Sequence, residues 1–210
     1  MLALEPCPKC RRPPEICVCD RIVPLPTRLE VLILQHPREQ DLELGSAQLV
    51  AQSLPKARVV VGLSWPGLAE ALGREADPRR WATVFPYGLS EAQRTAQTEA
   101  PTKVMDHKGR ALRPSQLDGI VLLDGSWSQA KTLWWRNAWL LKLPRLLLRP
   151  TEPTIYGTLR KAPRKDYLST LEAAAEALVA LGESEETRAQ LRRLFRTMVQ
   201  RARDRRARPA

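Results

Sequence analysis

Gly119-Ile-Val-Leu-Leu-Asp124-Gly-Ser-Trp127-Ser-Gln-Ala-Lys131 is the stretch on which the reading of this chain turns. Ile120 to Leu123 is a short β-branched and leucine run of the kind buried on both faces of a parallel sheet. Gly125 supplies the backbone freedom for a sharp turn. Ser126, followed three residues later by Gln129, reads as a capping box, and Ala130, Lys131 and Leu133 continue a helical pattern. Ligands of open α/β sheets sit just beyond the carboxyl ends of strands, so Asp124 and Trp127 stand where a site would be. Capping alone accounts for Ser126 and Gln129; an Asp ahead of a helix also favours the dipole, and a Trp in a helix is often core. An acid and an indole together at one strand end mark a candidate site.

Working outward, short apolar runs at Leu29–Leu34, Arg58–Val61, Thr83–Phe85 and Leu146–Leu148 read as further buried strands. Helical patterns at Ser46–Leu54, Pro66–Ala76, Ser126–Leu141 and Thr170–Leu181 alternate with them. The alternation predicts an α/β domain, a mainly parallel sheet with helices on both faces. Residues 98–114 lack a period and read as a surface loop or ragged hairpin, and 150–163 as an irregular linker. A last helix is expected from Ser184 to Arg203, with Leu191, Leu194, Phe195, Met198, Val199 and Ala202 forming one docking stripe flanked by arginines. The expected organisation is a small module over 1–27, a main domain over 28–183, and a basic amphipathic helix and tail over 184–210.

The first 27 residues hold all four cysteines and six prolines. Cys7, Cys10, Cys17 and Cys19 form C-x2-C-x6-C-x-C, for which a structural Zn²⁺ with four thiolates is the expected explanation and reduced, unliganded thiols the alternative. At 210 residues the chain can bury a substantial core without a partner, so a monomer is expected. The net charge is +11, and from Arg188 onward there are nine arginines against one acid, Asp204. A concentrated basic flank points to a polyanion, nucleic acid first, against the alternative of a solvated arginine-rich helix. No charged-then-apolar leader opens the sequence and no apolar run approaches the ~20 residues that span a bilayer, so a cytoplasmic setting without membrane contact is expected.

Asp166-Tyr-Leu-Ser169-Thr-Leu-Glu172-Ala173 is a second loop-to-helix corner, with Ser169 and Glu172 as its capping box. Two such corners at neighbouring strand ends would make a cleft. The cysteine cluster, Leu34-Gln-His-Pro-Arg-Glu39, Leu123-Asp-Gly-Ser-Trp-Ser-Gln-Ala130 and this second corner, taken in order from Cys7 to Leu181, resemble the DTW-domain family. The signature Asp-x-Thr-Trp carries Ser126 in place of Thr, a change that keeps the cap. That family comprises tRNA-uridine aminocarboxypropyltransferases related to the SPOUT superfamily of knotted RNA-modifying enzymes.

The resemblance implies a trefoil-knotted sheet and transfer of the 3-amino-3-carboxypropyl group of S-adenosylmethionine (SAM) to N3 of a tRNA uridine, at position 47 for a bacterial member, releasing methylthioadenosine. Carried over, Asp124, Ser126 and Trp127 line the reacting centre, and Leu123, Gly125, Leu148, Tyr167, Leu168, Ser169 and Thr170 the SAM pocket. Trp127 is the candidate for choosing which carbon of the sulfonium faces the nucleophile. Asp124 is either the base for N3 or a partner of the donor's ammonium. Arg160, Lys161, Arg164 and Lys165, with Arg192, Arg193 and Arg196 on the last helix, are candidate tRNA contacts. His36 before Pro37 is a substrate contact or a turn residue. The alternative functions are a SAM-dependent RNA methyltransferase and a non-catalytic zinc-containing RNA-binding protein.

Overall fold

The computed structural model describes residues 5–84, 103–106, 108–148, 152–160 and 168–207. Among these residues six strands form one sheet: β1 (Glu30–Gln35), β2 (Ala57–Val61), β3 (Trp81–Val84), β4 (Lys103–Met105), β5 (Gly119–Asp124) and β6 (Arg145–Leu147). Their order is β2-β1-β5-β3-β6-β4. All pairings are parallel except that of β4 with β6. The expected α/β fold with a mainly parallel sheet is therefore present. The 98–114 stretch contributes the antiparallel edge strand β4 and an isolated bridge between Met105 and Ala111, the ragged hairpin of the two readings.

Alternation along the strands sorts the core into two layers. Val31, Ile33, Ile120, Leu122, Ala82 and Val84 face α1 (Ala47–Ser53), and with it the helices Thr170–Ala180 and Glu185–Ala207. Leu32, Leu34, Val121 and Trp81 face α2 (Leu68–Leu72) and α3 (Trp127–Arg136) on the opposite side. The helices Thr170–Ala180 and Glu185–Ala207 are α4 and α5. Both faces of β1 and β5 are thus covered, which is why those strands read as continuous apolar runs.

Two helices are shorter than their patterns. Gly73, left-handed at φ 68°, ends α2 after Leu72. The helix expected to reach Leu141 stops at Arg136, because the buried Asn137 amide donates to Leu63 O (3.1 Å) and Leu133 O (2.7 Å) and accepts from Trp65 N (2.8 Å). A polar side chain with three backbone partners outcompetes another helical turn, and Ala138–Lys142 continues as a 3₁₀ segment. The docking stripe of α5 is buried as expected. Phe85, expected in β3, lies outside the described residues. Among the described residues no helix is long and apolar enough to cross a membrane.

Candidate active site

Asp124 ends β5 directly opposite Gln35, the last residue of β1. Continuing the alternation of Ile120 and Leu122, its side chain turns to the α4 face, where it is 4% exposed. Gln35 Nε2 donates to Oδ2 at 2.8 Å, and the Thr170 hydroxyl, at the first turn of α4, donates to Oδ1. Burial pushes the Asp124 pKa up, opposed by these two hydrogen bonds. The chain then turns at Gly125, where a Cβ would lie 2.8 Å from Gln129 Cβ and 3.2 Å from Ala130 N, so only glycine lets α3 begin so close to the strand. Ser126 and Gln129 form the expected capping box. Ser126 N is shared between Gln129 Oε1 (2.6 Å) and Glu39 Oε1 (3.2 Å).

Glu39 comes from the short turn after β1, in which the His36 ring accepts from Arg38 N at 3.2 Å; His36 is thus a turn residue. The other oxygen of the buried Glu39 meets Arg160 at 2.6 Å, and the Arg160 guanidinium lies over the Tyr156 ring, 5.8 Å from its centroid. Tyr156 is buried, which raises its pKa to about 12, and its hydroxyl donates to Leu44 O. One chain of contacts therefore joins the loops after β1 and β5 to segment 152–160.

The second corner is built by Glu172, which is fully buried. Its Oε2 accepts from Ser169 N (2.9 Å) and the Thr154 hydroxyl (2.7 Å), and its Oε1 from Ile155 N (2.8 Å). The cap residue thus also ties segment 152–160 to α4. Leu171 N donates to Ser46 Oγ at 3.2 Å, bringing in the start of α1. The expected neighbours Asp124, Ser126, Ser169 and Thr170 are brought together. Trp127, the residue after Ser126, is half-buried against the opposite layer with Leu123, whereas Leu148 packs on the α4 side. Leu168 is half-buried. Tyr167, Lys161, Arg164 and Lys165 lie outside the described residues.

The four cysteine sulfurs lie within 4.8 Å of one another. A tetrahedral ion at about 2.3 Å from each sulfur requires sulfur pairs about 3.8 Å apart, and Cys10 and Cys17 stand at 3.7 Å. Amides of Cys10 and Lys9 point at Cys7 and hold its thiol pKa down at about 6. The donor set fits a tetrahedral metal. Between these cysteines, the buried Arg12 donates through Nε to Glu43 O at 2.9 Å and through Nη2 to Gly45 O. Ile16 and Val18 are buried, the Pro14–Ile16 turn packs on α5, and Arg201 donates to Cys17 O. The cysteine module is thereby fixed to the loop that carries Glu39 and Ser46.

Comparison with known proteins gives the family. The description "DTW domain" matches residues 4–203. This chain belongs to the DTW domain family. It is 31% identical over 183 residues to the mouse protein named tRNA-uridine aminocarboxypropyltransferase 2, and 30% identical over 185 residues to the one of Macaca fascicularis. Each alignment covers 83% of this chain and 56% of the relative, so the chain spans about half the length of these curated relatives. The Drosophila melanogaster protein of that name is 28% identical over 91% of this chain and 72% of its own length. No solved structure matches.

Within this DTW domain the arginines of α5 divide by environment. Arg192, expected on the basic outer face, is instead buried beside the apolar stripe and bridges Glu152 and Glu176. Arg193 and Arg196 are exposed. The reading from sequence assigned no site role to Gln35 or Glu39. Their signal was faint: a polar residue closing an otherwise apolar strand, and an acid two residues after a proline. Only the pairing of β1 with β5 makes them neighbours of Asp124 and Ser126.

Proposed function

We propose that this DTW domain transfers the 3-amino-3-carboxypropyl group from SAM to N3 of a uridine in tRNA, as the names of its relatives describe for them in part. The observation that carries this reading is the convergence of two capped helix starts, Ser126 and Ser169, on Asp124 at the carboxyl end of the central strand. The positive ends of the two helix dipoles favour a carboxylate, here that of the donor's amino-acid arm. Gln35 Oε1 is buried beside Asp124 with no donor among the described residues, which fits an ammonium. Trp127 packs with the layer on the other side of the sheet from Asp124 and Thr170, so a cation-π role towards the sulfonium is carried by the family resemblance and not by this pocket.

In the proposed reaction, N3 loses its proton to solvent and attacks the methylene carbon bound to sulfur. That carbon–sulfur bond breaks, its electron pair passes to sulfur, and neutral methylthioadenosine leaves. Burial and two donors support Asp124 as an anchor that positions Thr170 and Gln35, in preference to the base for N3. The SPOUT-like trefoil is carried by the family resemblance. We further infer that Cys7, Cys10, Cys17 and Cys19 hold a structural Zn²⁺, which would order the first module and, through Arg12, the loop bearing Glu39. The test is incubation with SAM and an unmodified tRNA transcript, followed by nucleoside mass spectrometry. A 3-amino-3-carboxypropyl uridine is expected; a methylated nucleoside, or none, overturns the reading.

A further inference from the structure

Between Gly125 and Thr151 the chain carries five cations (Lys131, Arg136, Lys142, Arg145 and Arg149), four of its six tryptophans and no acid. Much of this composition is folded into α3, the helix that starts at the Asp124 corner. Trp134 turns inward and is buried, with the Arg145 guanidinium 5.8 Å from its ring centroid. Trp135 is 63% exposed, the only one of the six tryptophans in that state.

Steps of four residues along an α-helix overshoot a full turn by about 40°, so a stripe at that spacing slants around the cylinder. Trp127, Lys131 and Trp135 form such a stripe. It begins half-buried at the corner, is exposed at Lys131 and ends on the exposed indole. Eight residues at about 1.5 Å each separate the two indoles by about 12 Å, the length of roughly three nucleotides stacked at about 3.4 Å. Arg136, next to Trp135, and Lys142, which ends the following 3₁₀ segment, are exposed. On the basic helix α5, Arg188, Arg192, Arg201 and Arg205 are paired with Glu176, Glu152, Asp20 and Glu43.

We propose that the outer stripe of α3 is the track for single-stranded nucleotides flanking the target base, with Trp135 stacking a base and Lys131, Arg136 and Lys142 meeting phosphates. The inference rests on the reading of RNA as substrate. Indoles interleaved with cations are what unpaired RNA is recognised by, because every base has a stacking face and every linkage a charge. An apolar protein partner would face cations one turn from each indole, where interface cores exclude charge. The track also leads directly to the corner where the donor is proposed to lie.

The test uses the full chain, an unmodified tRNA transcript, and the variants Trp135→Ala, Trp135→Phe and Lys131→Gln. Trp135→Ala is expected to weaken tRNA binding about 10- to 100-fold, the range of one lost stack, with Trp135→Phe restoring most of it. SAM affinity and the melting temperature stay at wild-type values. Lys131→Gln lowers the slope of log affinity against log salt by about 0.7–0.9, one phosphate contact. Wild-type tRNA affinity in Trp135→Ala overturns the track, as does a loss of self-association in light scattering with tRNA affinity unchanged. Wild-type protein that depends on Trp135 for binding yet forms no adduct supports the track and sinks the transferase reading.

Discussion

Replacing Glu172 by Gln tests whether one buried carboxylate ties segment 152–160 to the start of α4. The carboxylate accepts from two backbone amides and one hydroxyl, and the segment it holds carries Tyr156 and Arg160. Glutamine has nearly the same shape but only one acceptor oxygen. The less costly orientation keeps that oxygen on Ser169 N and Thr154 and turns the new amide group towards Ile155 N, leaving two donors face to face. Loss of one strong bond plus a buried amide without a partner costs about 2–4 kcal/mol. For a chain of this size each kcal/mol lowers the melting temperature by about 2–4 °C, so a fall of about 5–15 °C is expected. Thermal unfolding followed by circular dichroism measures it, and Thr154→Val, which removes one hydroxyl bond, should cost about 1 kcal/mol. SAM affinity should fall with stability in Glu172→Gln. A melting temperature within about 1 °C of wild type would refute the reasoning, because it would mean that the three contacts carry no load.

Gly125→Ala should cost about 1–3 kcal/mol and lower SAM affinity, since the new methyl displaces α3 from the strand end; urea denaturation and calorimetric titration read the two effects. Asp124→Asn should lose transfer activity while changing the pH dependence of stability in a defined direction. Because burial raises the folded-state pKa of Asp124, the native protein holds its proton above the unfolded value of about 3.9, so the wild-type advantage over the variant shrinks as pH rises through that window. A wild-type advantage that grows over the same range would contradict it. A strong chelator should expose four titratable thiols, abolish the ordered signals of the first module and weaken SAM binding through Arg12; an unchanged spectrum after chelation would remove the metal from the account.

The β5–α3 corner was legible because its signals are local. An apolar run, a glycine and a capping box sit within a dozen residues, and the same holds for Ser169 and Glu172. The stripe of α5 was legible because its period is sustained over about three turns, from Leu191 to Ala202. What escaped depends on contacts distant in sequence. Gln35 meets Asp124 across 89 residues, and Glu39 meets Arg160 across 121, so neither pairing leaves a trace in its own neighbourhood. Arg192 looked like an outer-face cation because its partner Glu152 is 40 residues away. The edge strand Lys103–Met105 is too short for alternation to register, and Asn137 ended α3 through bonds to a loop over 70 residues earlier.

The most direct test of the central claim is a double-label experiment. SAM carrying one isotope in its carboxyl carbon and another in its methyl group is incubated with the protein and unmodified tRNA. The account predicts carboxyl label in the tRNA and methyl label in released methylthioadenosine, both lost in Asp124→Asn. Methyl label in the tRNA, or transfer that survives Asp124→Asn at the wild-type rate, would contradict it.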